Sequence, residues 1–365
     1  MQPTIGVEEE FFVIDRATRA MATTEHLMTE LSAGPASPFD HEFQEPIVES
    51  RTGICFDLKQ VRSELQGLRR SLLAAAAAVQ VSVVSAGTLP QADWRAVRTT
   101  SKPLYQQISD LYGEIVHRRL TCGCHIHIGV SDRELAVQVL NRVRPWLPVL
   151  LALSASSPFY EGVDTGYCSF RNVLWGAFPV AGIPDAHSSY RQYLETISSL
   201  IDTHSLVDAG QVYWDARLSV RYPTVEFRVA DACTTVGETV LLAGLCRALV
   251  LTCQWEAIAG RPAPDIRPEM LRAASWRAAR SGLDADLIDV TAGQLVPASD
   301  LLDRLLRHTQ DALEELGDWE QVGGLVDDAR RGNTSAGRQR AVLARTGRMS
   351  DVVDMLAADT APSDS

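Results

Sequence analysis

The sequence predicts one large domain of mixed helices and strands, α/β or α+β, on three observations. Short stretches of strand-type alternation are interleaved with longer stretches of helical periodicity through most of the 365 residues. No internal repeat, low-complexity segment or polar linker cuts the chain, although a prior of about 150 residues per domain would allow two or three. Hydrophobic residues make up 46% and charged residues 22%, globular values that exclude general disorder and a fibrous repeat and provide for a sizeable core.

The elements follow in order. Residues 4–15 read as a strand, and 44–56 as one or two more around Gly53. Leu58, Val61, Leu65, Leu68 and Leu72 step by three and four, an amphipathic helix that runs into Ala74–Ala78. Residues 81–86 read as a strand, 103–119 as a helix and 122–130 as a strand. A helix capped by Asp132 runs toward Leu153. Residues 156–186, with three Pro and four Gly, read as one long loop, a feature that is usually functional inside a compact domain. A helix at 187–202 precedes strands at 211–218 and 224–231. Segment 236–259 is apolar nearly all round and reads as a buried helix; helices near 267–281, 299–316 and 320–331 follow. The expectation is one domain over residues 1–359 and a disordered polar tail over 360–365.

Charge narrows the function classes. The formal net charge is −12 and no basic block stands out, a poor match to nucleic acid, whose binding begins with a positive surface. Only Lys59 and Lys102 among the 34 basic residues are lysines, so arginine must do any anion binding, and no G-x-x-x-x-G-K-[ST] loop exists. The N-terminus has no basic segment followed by an apolar one, and the longest apolar run, 146–155, is interrupted by Pro148. Seven scattered cysteines are unlike a secreted disulfide framework. A cytoplasmic, reduced protein without a membrane partner is expected.

The polar residues of the strands carry the chemistry. Residues i and i+2 of a strand share a face. In Cys122–Val130, Gly123, His125, His127 and Gly129 lie on one side, with Cys124, Ile126, Ile128 and Val130 on the other. In Thr224–Asp231, Glu226 and Arg228 oppose Val225, Phe227 and Val229. In the first strand Glu8 and Glu10 oppose Ile5, Val7, Phe11 and Val13, and Glu9 falls on the apolar side with no evident partner. Glu45 and Glu49 share a face in the second strand region. Taken singly, each pattern has a plain reading: a solvated carboxylate pair, an ordinary polar histidine pair, a surface ion pair. Cys122-x-Cys124-His125 lacks a second Cys pair, and Cys124 points away from the histidines, which weighs against structural zinc. Jointly, carboxylates, two imidazoles and a guanidinium on one sheet face suggest divalent metals with a polyanion. Carboxylate oxygens suit Mg²⁺ or Mn²⁺, Mn²⁺ also takes imidazole, and Arg grips phosphate in bidentate fashion.

These residues resemble a family. Ile5–Phe12, Cys122–Gly129, Asp164–Tyr167 and Thr224–Asp231, with Trp276–Arg280, Gly332-Asn333 and Arg338–Arg340, are similar to the carboxylate–amine ligases of the glutamate–cysteine ligase type 2 family over nearly the whole chain. A more distant similarity is to glutamine synthetase. The resemblance implies an α+β fold of the glutamine synthetase/guanido kinase-like type: a curved, mainly antiparallel sheet with helices packed on its outer face and the active site on its inner face. Residues 332–338 and Ala274-Ser275 depart from the family pattern, which bears on the C-terminal substrate-side contacts.

The resemblance also implies roles. Glu8, Glu10, Glu49, His125 and Glu226 would ligate two or three Mg²⁺ or Mn²⁺ ions. His127 would face the ATP phosphates, Arg228 would meet the transferring γ-phosphoryl group, and Arg171 would make a second phosphate or substrate-carboxylate contact. Arg217 and Arg221 are further nucleotide-binding candidates. The implied reaction is ATP-dependent amide formation, with glutamate or a related amino-acid carboxylate activated as an acyl phosphate and then captured by an amine. The general base is unassigned; Asp164 and Asp231 are the candidates. Alternatives are an ATP-dependent phosphotransferase on the same fold, an amide ligase of specialised metabolism using an amine other than cysteine, and a non-catalytic binding module. Partners are small-molecule substrates and further copies of the chain in a homo-oligomer.

Overall fold

A computed structural model describes residues 2–31, 37–331 and 334–362. Strand β1 (Ile5–Asp15) is followed by α1 (Glu25–Glu30), β2 (Phe39–His41), β3 (Ile47–Arg51), α2 (Leu58–Ala78) and β4 (Val81–Val84). Helices α3 (Pro103–Tyr112) and α4 (Glu114–Arg118) precede β5 (Gly123–Gly129), α5 (Arg133–Val143) and α6 (Leu147–Ser154). Segment 156–186 holds a hairpin, β6 (Phe159–Tyr160) and β7 (Val163–Asp164), and α7 (Phe170–Trp175). Then come α8 (Tyr190–Asp202), β8 (Ala216–Leu218), β9 (Thr224–Asp231), α9 (Val236–Ile258) and α10 (Pro268–Ser281). A second hairpin, β10 (Leu287–Asp289) and β11 (Gln294–Val296), leads to α11 (Ala298–Leu316), α12 (Trp319–Arg330), α13 (Ser335–Thr346) and α14 (Met349–Thr360).

The large sheet runs β2-β3-β1-β5-β9-β8, with β4 against the second half of β1, and every pairing is antiparallel. With helices laid over one face, this is an α+β architecture. The covered face carries Ile5, Val7, Cys124, Ile126, Ile128, Val225 and Phe227, buried under α2, α5, α9, α11 and α12. Helix α9 is apolar all round and has its N-terminus closed by a Thr235/Glu238 capping box. It is long and apolar enough to cross a membrane, yet it lies buried among the other helices. Gly244 permits that packing: a Cβ there would meet Val322 Cγ2 at 2.6 Å.

Several expected elements are broken or shorter. Helix 103–119 is interrupted at Gly113, whose φ of +55° leaves helical geometry. Helix 132–153 is split by a 3₁₀ turn over Arg144–Trp146, where Pro145 removes a backbone donor. Strand 44–56 contracts to β3 plus a bridge from Ile5 to Cys55, and 211–218 contracts to β8. The long loop contains its own hairpin and helix. Helices α1, α13 and α14 and strands β2, β10 and β11 were not anticipated. Thr360, assigned to the tail, instead closes α14: it is buried, and its hydroxyl accepts from the Ser85 N–H at 2.9 Å. Residues 363–365, and the Gly332-Asn333 pair of the family pattern, lie outside the described residues.

Candidate active site

Antiparallel register turns the polar positions into rows across the open face. Glu49 of β3 is opposite Glu10 of β1. Arg51, Glu8 and His125 form the next row, on β3, β1 and β5. His127, Glu226 and Arg217 form the third, on β5, β9 and β8. A bulge between Cys124 and Ile126 shifts the β5–β9 register without turning the histidines off this face. Cys124 is fully buried on the apolar side, away from them.

The side chains converge. His125 Nδ1 lies 3.2 Å from Glu8 Oε2, and His125 Nε2 lies 3.8 Å from Glu10 Oε1. His127 Nε2 is 3.5 Å from Glu8 Oε1, and its Nδ1 is 3.0 Å from the Thr224 hydroxyl. Glu10 accepts from the Gly123 N–H at 2.6 Å. Glu226 accepts from Arg217 Nε at 2.9 Å and Nη2 at 3.1 Å, and from Arg228 Nη1 at 2.5 Å.

Burial opposes every charge on this face, and local partners decide each outcome. For Glu8, burial is outweighed by the hydrogen bond to His125 and the nearby His127 imidazole, which hold its carboxyl well below the usual range. For Glu226, burial is outweighed by Arg217 and Arg228, and the carboxyl stays ionised. Glu10 and Glu49 shift up because burial dominates, with Glu8 and Glu42 adding repulsion at Glu49. The two histidines diverge. Burial and then Arg228 push His125 down to about 4, so it is neutral at pH 7. His127 rises, because Glu8 and Glu226 outweigh its burial.

Metal ligation fits this arrangement. Ligand atoms of Glu8, Glu49 and His125 lie within 4.8 Å of one another, and so do those of Glu8, His127 and Glu226. The Nε2 atoms of His125 and His127 are buried without a hydrogen-bond partner among the described residues. An oxygen-rich set with a neutral imidazole suits Mg²⁺ or Mn²⁺. Glu10 belongs to neither trio but borders the first through His125. A third such group among the described residues, Cys253, Glu256 and His308, lies on α9 and α11 among the covering helices.

Arg171 is buried on α7, where it donates to the Arg228 and Val229 carbonyls at 3.2 and 3.4 Å and lies 3.9 Å from Asp231. A Cβ at Gly123 would meet its Nη2 at 2.6 Å, so the glycine makes room for it. Arg221 is not brought to the cluster: it is exposed in the turn between β8 and β9, and no hydrogen bond or ion pair ties it there among the described residues. Neither base candidate is placed for the task. Asp231 is saturated by the Ser156 N–H and the hydroxyls of Ser157 and Ser169. Asp164 is held at the surface by Arg340. There the remaining family motifs meet, as Trp276 Nε1 donates to the Tyr167 hydroxyl at 3.1 Å and Arg280 lies over the Tyr167 ring.

Three residues near the cluster escaped the sequence reading. Glu42 follows a three-residue strand too short to show alternation; burial, then Glu10, pushes it up to about 7. Arg119, in the segment before β5, lies over the Trp175 ring at 4.2 Å. Asp215 had a visible signal, since it sits two residues before Arg217 in the expected strand 211–218. Beside Glu8 and His127 the face opens into a cavity of about 440 Å³, walled by Pro3, Ile54, Val130, Leu135 and Tyr222. That is a ligand-sized volume.

Comparison with known proteins shows what the chain is similar to. The family model described as glutamate–cysteine ligase family 2 matches residues 4–355. A provisionally named glutamate–cysteine ligase 2-2 of Frankia alni is 41% identical over 372 residues, covering 98% of this chain and 97% of its own. A provisionally named glutamate–cysteine ligase 2 of Salinispora arenicola is 41% identical over 362 residues, covering 99% and 96%. Among solved structures, a glutamate–cysteine ligase of Francisella tularensis in complex with AMP superposes with a TM-score of 0.75 at 13% identity, over 100% of this chain and 90% of that one. This last likeness is one of fold.

Proposed function

The chain belongs to glutamate–cysteine ligase family 2 and is an ATP-dependent carboxylate–amine ligase, and we propose that it activates glutamate or a related amino-acid carboxylate on the open face of the sheet. The observation that supports this most directly is the convergence of Glu8, Glu49, His125, His127 and Glu226, with Arg228 alongside, next to a ligand-sized cavity that Glu8 and His127 line.

In this reading the cavity takes the nucleoside, and Glu8, Glu10, Glu49, His125 and Glu226 hold two or three Mg²⁺ or Mn²⁺ ions. Such ions, when bound, offset charge on the phosphate oxygens during in-line transfer. His127, at the junction of cluster and cavity, faces the phosphates. Arg228 meets the transferring phosphoryl group, and Arg217 holds Glu226 ionised and oriented. The substrate carboxylate attacks the γ-phosphorus, ADP leaves, and the amine then displaces phosphate from the acyl carbon. Arg171, fixed under Gly123 and beside the Arg228 carbonyl, contributes positive charge below that point.

The test is positional isotope exchange in ATP with glutamate present and no amine. Scrambling is expected in the wild-type protein and is expected to fall on the order of 10²-fold or more in Glu226→Gln, with the unfolding transition retained. Undiminished scrambling in that variant would remove Glu226 from the site.

A further inference from the structure

We infer that Asp215 receives the ammonium group of the amine substrate and takes its proton, in a recess of the sheet face between Arg171 and Arg228. The inference rests on the ligase reading above and adds the group that this reading lacks. Position comes from the ladder. The Asp215 carbonyl accepts from the Arg228 N–H at 2.8 Å, and its own N–H donates to the Gly182 carbonyl at 2.8 Å. Ala216 opposite Phe227 and Arg217 opposite Glu226 then put Asp215 on the face that carries Arg228 and Glu226.

Asp215 is only 9% exposed, and its Oδ2 is buried with no hydrogen-bond partner among the described residues. An unsatisfied buried carboxylate oxygen is unfavourable, a cost that a ligand donor would remove. The recess beside it has a volume of about 10 Å³ and is walled by Arg171, Trp175, Tyr213, Trp214 and Arg228. That is room for about one water-sized group, the size of an ammonium. The neighbouring guanidinium groups make other contacts: Arg228 donates to Glu226, and Arg171 donates to two carbonyls through its Nη atoms and lies 3.9 Å from Asp231, while its Nε finds no partner among the described residues. Among the described residues Asp215 makes no ion pair, and Arg171 acts on it only at a distance. Burial pushes it up to about 6 against the pull of Arg171, a suitable range for a base near neutral pH.

The protons balance. The ammonium gives one proton to Asp215 Oδ2, and the freed lone pair forms the C–N bond at the acyl carbon. The bond from that carbon to the phosphate oxygen breaks with its electron pair on phosphate. The second N–H proton leaves with phosphate, and Asp215 returns its proton to solvent.

The test compares two nucleophiles, cysteine and hydroxylamine, with glutamate and ATP. Hydroxylamine is already unprotonated at neutral pH and needs no base. In Asp215→Asn the kcat with cysteine is expected to fall on the order of 10²–10⁴-fold while hydroxamate formation stays within about threefold of wild type. Asp215→Glu, which keeps a carboxylate, should recover part of the cysteine rate. Equal losses with both nucleophiles, a change confined to KM for cysteine, or no loss would each overturn the inference while glutamate-dependent isotope scrambling persists. Absence of that scrambling in the wild-type protein would overturn the ligase reading and this inference together.

Discussion

Glu9 stood on the apolar side of β1 with no evident partner, and the structure supplies one from 60 residues away. Arg69 of α2 grips it through Nε at 3.0 Å and Nη2 at 2.7 Å, and the Thr239 hydroxyl donates to the same carboxylate at 2.7 Å. Arg69 also donates to the carbonyls of Cys233, Thr234 and Thr360, so one guanidinium ties β1 to the chain entering α9 and to the end of α14. Both members of the pair are about 1% exposed, so removing one leaves an unpaired buried charge. Arg69→Ala is expected to lower stability by about 3–5 kcal/mol in denaturant unfolding, and Glu9→Leu with Arg69→Met by clearly less. An Arg69→Ala loss below that of the double variant would mean that the pair is not the linchpin. The contrast with Glu8 and Glu10 is one of side: the charge facing the core is answered by one buried guanidinium and a hydroxyl, whereas charges facing the open side converge on one another.

Among elements, the strands that carry the site were legible and the parts that hold them were not. Period-two alternation survives in β1, β5 and β9 because one face is buried, so Glu8, Glu10, His125, His127, Glu226 and Arg228 could be assigned to a face from sequence alone. Segments 39–41 and 294–296 are too short to show a period. Helix α13 has a polar character on most sides, burying little beyond Ser335, Ala336, Gln339 and Val342, and so lacks an apolar stripe to read. What anchors segment 156–171 was also hidden, because Asp231 binds residues more than 60 positions away. Its three hydrogen bonds, from the Ser156 N–H and the Ser157 and Ser169 hydroxyls, seat the segment that delivers Arg171 beneath Gly123. Asp231→Ala should therefore loosen this segment in particular. Amide exchange over 156–171 is expected to accelerate while β1 stays protected, stability should fall by about 3 kcal/mol, and ATP turnover should fall with it. Ser157→Ala, which removes one of those partners, should cost about 1 kcal/mol. Uniform loss of protection across the sheet would show that Asp231 supports the whole fold and not this segment.

For the molecule as a whole, a net charge of −12 becomes informative once its distribution is known. Part of the acidic excess is gathered on one sheet face, where the cation-free protein has to hold four carboxylates, Glu8, Glu10, Glu42 and Glu49, close enough to influence one another's titration. Glu10 and Glu49 shift up, and Glu42 rises from 4.5 to about 7. A carboxyl whose folded value is raised binds its proton more tightly when folded. Its contribution to stability is complete below the unfolded value near 4.5 and is lost as pH rises through about 7. Glu8 and Glu226 act with the opposite sign, adding stability above the ordinary carboxylate range that is lost only as pH falls through their depressed values. His125, pushed down to about 4 from 6.5, adds stability as pH rises to about 6.5; between about pH 6.5 and 8 the raised carboxyls govern, so the melting temperature of the cation-free protein should decline across that window. Added Mn²⁺ or Mg²⁺ should reverse the decline, because a cation binds the ionised carboxylates and displaces their protons. At a concentration of about 100 times Kd the gain is roughly 2.7 kcal/mol, and it should be larger at pH 8 than at pH 6 because Kd itself falls as the cluster deprotonates. Thermal melts at both pH values, with and without the cation, measure this. A gain independent of pH, or one that persists in Glu8→Gln, would place the cation somewhere other than this face.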